Sequence, residues 1–231
     1  LIDCIKKLTG DTTENIKRYY KDIANNSELE KYLQNQFDEY NSYINSKDFK
    51  ISKFFKENPA GRLNRPAQSH AGFFLYILVR SLKPEFFLET GVSAGESSTY
   101  ILQAMHDNNF GKLFSIDFQS TIVEKGLATI MPEGKTSGWA IPENLKDRWE
   151  LSLGKSEELL PKILERQKKI DVFMHDSLHT YDHMMFEYTT SWDFIKKNGL
   201  LLSDDIVVMN GKGHSPFVDF AESKQKEIVV Y

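Results

Sequence analysis

The sequence predicts an α/β fold: a doubly wound, mostly parallel sheet with helices on both faces, preceded by an N-terminal helical extension. From residue 85 onward, short apolar runs rich in aromatic and β-branched residues alternate with longer amphipathic segments, the pattern of repeated β-α units. Each run ends on glycine, histidine or acid. They are Phe86-Phe87-Leu88-Glu89-Thr90-Gly91-Val92-Ser93-Ala94-Gly95, Ser115-Ile116-Asp117, Gly154-Lys155-Ser156, His175-Asp176 and Ser203-Asp204-Asp205, with His179 between the last two. These residues therefore fall at the carboxyl ends of strands, the edge where open α/β sheets bind ligands.

In chain order, residues 12–46 are polar and rich in Lys, Glu, Asn and Tyr, while Leu29, Tyr32, Leu33, Phe37 and Tyr40 recur at helical spacing. This predicts one or two amphipathic helices in an exposed extension over 1–65, with a dimer contact or substrate lid as the alternative. Asn58-Pro59-Ala60-Gly61 and Arg65-Pro66 mark a loop, and a helix follows over 66–82 with proline in its first turn. Strands are expected at 85–90, 113–117, 149–153, 170–175, 200–203 and 227–231. Helices are expected from near Gly95, at 156–167, at 179–197 and at 217–224. Residues 118–147, with three glycines and two prolines, form a connection long enough to suggest a functional loop.

Composition narrows the function. The chain has 231 residues, 40% of them apolar, enough for a sizeable core, and a net charge of −4, which gives no sign of a nucleic-acid surface. The single cysteine, Cys4, excludes a disulfide framework and a cysteine-cluster metal site, so a reducing, cytoplasmic location is the default. No apolar stretch approaches a membrane span. The first residue is Leu, and the N-terminus is expected to lie further upstream.

Gly91 and Gly95 flank a tight strand-to-helix turn, where a missing Cβ allows a sharp bend and close approach of a ligand. The spacing is neither the dinucleotide fingerprint nor a P-loop. Asp117 suits the two hydroxyls of a ribose, or caps a helix. Asp176, Asp204 and Asp205 converge if their strands are neighbours, and three oxygen donors favour a hard divalent cation such as Mg²⁺; capping and solvation are the bland alternative. His179, three residues after Asp176, suits a general base, with metal ligand or capping residue as alternatives. His175 reads as a core histidine, and His183 shows no partner pattern.

With these residues assembled, residues 66–231 resemble the class I S-adenosylmethionine-dependent methyltransferases, closest to the metal-dependent O-methyltransferase branch with its catechol-type, macrolide-sugar and cephalosporin-pathway members. The resemblance implies a Rossmann-like domain. Glu89-Thr90-Gly91-Val92-Ser93-Ala94-Gly95-Glu96-Ser97 matches the family's first motif, so Glu89, Gly91, Gly95 and Ser97 would bind the methionine end of the cofactor. Asp117 would hold the ribose and Ser156 lie by the adenine. Asp176, Asp204 and Asp205 would hold the cation, with Asp176 and His179 at the reaction centre. His179 stands where catechol-type enzymes carry a lysine base and some sugar methyltransferases a histidine. Two departures stand out. Lys155 replaces a common acid, and the family's last, antiparallel strand is expected to be missing after 227–231 or supplied otherwise.

The implied reaction is transfer of the sulfonium methyl to a hydroxyl of a small molecule, a sugar or other diol-bearing metabolite, with the cation lowering the hydroxyl's pKa. Homo-oligomerisation stays open. The rival readings are a metal-dependent hydrolase or hydroxylase on the same aspartates, and a non-catalytic adenosylmethionine-binding module.

Overall fold

In the computed structural model, the described residues are 1–44, 69–119, 131–132, 134–206 and 215–231. Five parallel strands, β1 (Phe86–Thr90), β2 (Lys112–Asp117), β3 (Trp149–Leu153), β4 (Ile170–His175) and β5 (Ile195–Ser203), form one sheet in the order β3-β2-β1-β4-β5. The order reverses between β1 and β4, the switch point where such sheets open a crevice at their carboxyl ends. Thr90 lies in register with His175, and the Asp176 N–H donates to the Thr90 carbonyl at 2.9 Å. The two strand ends are therefore tied just where the glycine turn and the first predicted metal aspartate begin.

The chain opens with α1 (Ile2–Thr9), α2 (Thr13–Ala24) and α3 (Ser27–Ile44). Thr12 caps α2, its hydroxyl accepting from the Asn15 N–H at 3.2 Å. These helices are not the exposed extension the sequence suggests. Ile5, Ile16, Ile23, Leu33 and Phe37 are buried in one apolar cluster with α4 (His70–Leu82) and α5 (Glu96–Asn108). The Arg80 guanidinium lies 4.6 Å from the centre of the Tyr19 ring, and Tyr20 meets Phe73 edge-to-face. In α1 and α2 the apolar face packs on α4, while Tyr40 of α3 stacks on Trp139 with ring centres 5.9 Å apart. On the opposite face of the sheet, α6 (Ser156–Gln167), α7 (Tyr181–Trp192) and α8 (Pro216–Ser223) bury Leu160, Leu164, Met184, Tyr188 and Phe220 against Leu88 and Phe173. With helices on both faces, the sheet is doubly wound.

Two boundaries differ from expectation. The helix read over 179–197 is α7, which stops at Trp192, because β5 already starts at Ile195. Ile170 pairs with Ile195 but Val172 with Leu200, so the chain accommodates extra residues in an irregularity. Asn198 there takes a left-handed φ of 70°, and Lys196 ion-pairs with Asp171 and Glu85. Residues 227–231, read as a sixth strand, form none. Tyr231 instead stacks on Phe74 with ring centres 4.5 Å apart, and Glu227 ion-pairs with Lys7. Side-chain packing holds this segment without a strand ladder. The loop marks at 58–61 and 65–66, the first turn of the 66–82 helix and parts of the 118–147 connection lie outside the described residues. No described helix is long and apolar enough to cross a membrane.

Burial of the N-terminal helices has a measurable consequence. Leu33 is fully buried in the shared cluster. Leu33→Ala should lower the unfolding free energy by about 2–5 kcal/mol in one cooperative urea transition. An independent appendage would leave the main transition unmoved.

Candidate functional site

The glycine turn is shaped by the chain's own atoms. Gly91 has φ 86° and donates its N–H to the Ile116 carbonyl at 2.8 Å. A Cβ on Gly91 would lie 1.8 Å from the Asp176 carbonyl oxygen. Only glycine lets the turn after β1 press against the end of β4. Gly95, at φ 95°, caps α5, and a Cβ there would meet Ile141 at 2.7 Å and the Gly138 Cα at 2.9 Å. The segment around Gly138 lies over the turn, Gly138 and Ala140 donating to the Ser93 and Ala94 carbonyls. At both glycines the direction a Cβ would take is filled by backbone or side chain of this protein.

Asp117, at the end of β2, accepts the Ser93 N–H on Oδ2 at 3.1 Å. It fixes the turn from the neighbouring strand. Glu89 is fully buried. Its Oε1 accepts from the Ser98 and Ser115 hydroxyls, while Oε2 is buried without a hydrogen bond among the described residues. Burial, only partly offset by the two serines and reinforced by the charge of Asp117, pushes its pKa up to about 7. Ser97, in the first turn of α5, lines a cavity of about 1060 Å³ that also takes in Ser93, Asp176, Asp204 and Asp205. The cavity runs on along β5 to residues 226–231. Ser156 opens α6 away from that lining, nearly buried, its Oγ 3.2 Å from His183 Nε2.

At the ends of β4 and β5, one donor atom from each of Asp176, His179 and Asp204 lies within 4.8 Å of the others. The Asp204 N–H donates to the His175 carbonyl at 2.9 Å, which brings the two strand ends together. His179 Nε2 stands 3.8 Å from Asp176 Oδ1, too far for a hydrogen bond, and is buried without one among the described residues. Burial and the neighbouring His175 lower the His179 pKa, against the pull of Asp205, Asp204 and Glu187, so the imidazole is neutral near pH 7. The expected trio was three aspartates. The trio that converges has His179 in place of Asp205, where the backbone turns to a left-handed φ of 48°. Two carboxylates and an imidazole remain a fitting donor set for a divalent cation.

One group escaped the sequence reading. Glu187 is fully buried on α7 and accepts from His175 Nδ1 at 2.6 Å and His183 Nε2 at 3.0 Å. Burial works to raise its pKa, but the bonds from the two histidines outweigh that and hold it far below the usual carboxylate range. The same carboxylate, with Glu157, raises His183 against the effect of burial. His175 is thus a core histidine as expected, whereas His183 has partners the sequence did not suggest. The available signal was an acid four residues after His183 and beside Tyr188 on the apolar face of a helix.

The raised pKa of Glu89 sets a pH dependence. Between its ordinary value of 4.5 and about 7, the unfolded chain has lost a proton that the folded chain keeps. Stability is therefore lost as pH rises through that window, by at most about 1.4 kcal/mol per pH unit. Glu89→Gln removes this contribution. Between pH 5 and pH 8 the melting temperature of the variant should fall less than that of the parent, and equal falls would show that Glu89 ionises normally in the fold.

A family model described as a methyltransferase domain matches residues 88–206. The O-methyltransferase TomG from Streptomyces achromogenes, involved in tomaymycin synthesis and solved in complex with SAM, is 20% identical; the match covers 80% of this chain and 81% of that one, with a TM-score of 0.51. The SAH-bound methyltransferase PaMTH1 from Podospora anserina is 16% identical over 81% of this chain and 85% of its own, with a TM-score of 0.49. No curated protein matches the chain. The matched span opens inside β1, crosses the glycine turn and both acidic strand ends, and closes after Asp205. The chain belongs to the methyltransferase domain family and has the Rossmann-like fold of S-adenosylmethionine-dependent methyltransferases.

Proposed function

We propose that this protein transfers the methyl group of S-adenosylmethionine to a hydroxyl oxygen of a small diol-bearing molecule, such as a sugar, with a divalent cation, Mg²⁺ first, at the carboxyl edge of β4 and β5. The supporting observation is the convergence of Asp176, His179 and Asp204 one strand from the glycine turn, around a cavity that reaches both. When bound, the donor offers a sulfonium methyl open to in-line attack by oxygen, and the cation offers positive charge that favours a deprotonated hydroxyl.

The remaining roles belong to the chain. The first turn of α5, with Ser97, offers backbone N–H groups and a hydroxyl for the donor's carboxylate. Glu89 stands behind the turn with a buried oxygen turned to no donor among the described residues. Asp117, already holding the turn through Oδ2, takes the ribose hydroxyls, and Ser156 borders the adenine. Asp176, Asp204 and Asp205 hold the cation. His179 takes the acceptor's proton on Nε2, a role its lowered pKa fits. A second reading has specific support: the donor trio includes His179 and leaves out Asp205, so His179 serves as a ligand instead. A lone pair engaged with the cation accepts no proton, so the two roles exclude each other. A cytoplasmic location belongs to the same proposal, on the single cysteine.

The test is release of S-adenosylhomocysteine from S-adenosylmethionine against a panel of catechols and sugars, with Mg²⁺ or chelator. Turnover should require the cation, and full turnover in excess chelator would remove the metal from the account. Asp204→Ala should abolish cation binding in calorimetry and leave S-adenosylhomocysteine affinity within a few-fold. His179→Ala should cut turnover by roughly 10²–10⁴-fold with cation affinity unchanged if it is the base. Weakened cation binding with partial rescue by excess Mg²⁺ identifies the ligand instead.

A further inference from the structure

The buried carboxylate of Glu187 sits where three parts of the proposed site begin. Its Oε2 accepts from Thr90 Oγ1 and His175 Nδ1, both at 2.6 Å, and its Oε1 from Ser177 Oγ and His183 Nε2, both at 3.0 Å. A carboxylate only accepts, so His175 carries a proton on Nδ1 and His183 on Nε2. His183 Nε2 in turn lies 3.2 Å from the Ser156 hydroxyl. Thr90 directly precedes Gly91, His175 and Ser177 flank Asp176, and Ser156 opens α6. Three of the four groups on this carboxylate are thus chain neighbours of a site residue, and the fourth, His183, lies against Ser156.

Stability alone does not account for a charge at this place. Its helix neighbours Met184 and Tyr188 are fully buried, and an apolar side chain is often at least as stable as a buried ion pair in such surroundings. What an apolar side chain cannot do is fix several donors in direction. In a low-dielectric interior, hydrogen bonds to a charge are strong and directional, and each restricts the segment that carries its donor.

We propose that Glu187 is a positioning residue. It touches neither donor nor acceptor, but locks the β1 turn, the Asp176 segment and, through His183, the start of α6 into one relative geometry, so that the methyl donor meets the turn and Ser156 at once. The inference rests on the proposed use of S-adenosylmethionine, and deepens it by naming what holds the two ends of that ligand's site in register.

The experiment is isothermal titration of S-adenosylhomocysteine into the full chain, its Glu187→Gln and Ser156→Ala variants and the double variant. Circular dichroism and thermal melts establish that each is folded. Tyr76→Phe is the control, because it removes a buried hydroxyl bonded to Asp107 between α4 and α5, away from the site. Glu187→Gln should weaken binding at least tenfold. The double variant should be no weaker than Glu187→Gln, because Ser156 is then already out of place. Tyr76→Phe should lower the melting temperature and leave affinity alone. Affinity within twofold of the parent in Glu187→Gln, or losses that simply multiply in the double variant, would overturn the positioning role. Should Glu187→Gln fail to fold, Thr90→Val removes one donor and leaves both histidines on the charge. Its binding should weaken threefold or more, and unchanged binding would overturn the proposal. A parent that binds no S-adenosylhomocysteine would instead defeat the functional reading beneath it.

Discussion

The site depends on one close contact, the seam between β1 and β4. Gly91 approaches the Asp176 carbonyl so tightly that no side chain fits between, and the Asp176 N–H bonds to Thr90. This seam is the switch point of the sheet, so the crevice that other such sheets offer to ligands opens directly above it. The turn and the acidic edge are two sides of the same contact. A displacement of the β4 end moves the aspartates and the turn together.

Charge is managed around this seam in three different ways. Glu89 is buried with two hydroxyl donors and is held near neutrality, its pKa pushed up to about 7. Glu187 is buried with histidine donors and is held ionised. Asp176 and Asp204 lie together at the cavity, where the proposed cation would relieve their repulsion. The difference follows from the donors: hydroxyls stabilise a carboxylate modestly, whereas imidazoles that can carry charge stabilise it strongly.

Much of the architecture was legible in the sequence because it rests on local patterns. Strand limits at 149–153 and 170–175 follow from apolar runs closed by glycine or acid, and α6 from helical spacing after Ser156. The limits of the reading are non-local. The helices of 1–44 looked like an exposed extension because most of their residues are polar, and burial of the rest depends on segments that arrive later in the chain, such as α4 under α1 and α2 and Trp139 against Tyr40. The run at 227–231 has strand-like composition, but packing of Tyr231 on Phe74 decides its conformation. At the site, the positions of the glycine turn, Asp176, His179 and Asp204 at strand ends could be read from spacing alone. That Gly91 and Gly95 accommodate this protein's own Asp176, Gly138 and Ile141, and that Glu187 gathers Thr90, His175, Ser177 and His183, are contacts between segments far apart in sequence. No periodicity encodes them.

The central claim is that donor and cation meet at the seam. Its most direct test is a crystal structure of the full chain grown with S-adenosylhomocysteine and Mn²⁺, with anomalous data at the manganese edge. The account predicts a single strong anomalous peak at the Asp176 and Asp204 carboxylates, beside His179, and S-adenosylhomocysteine running from Ser97 across Asp117 towards Ser156. Ligand bound along β5 beside residues 226–231, or manganese away from those carboxylates, would contradict it.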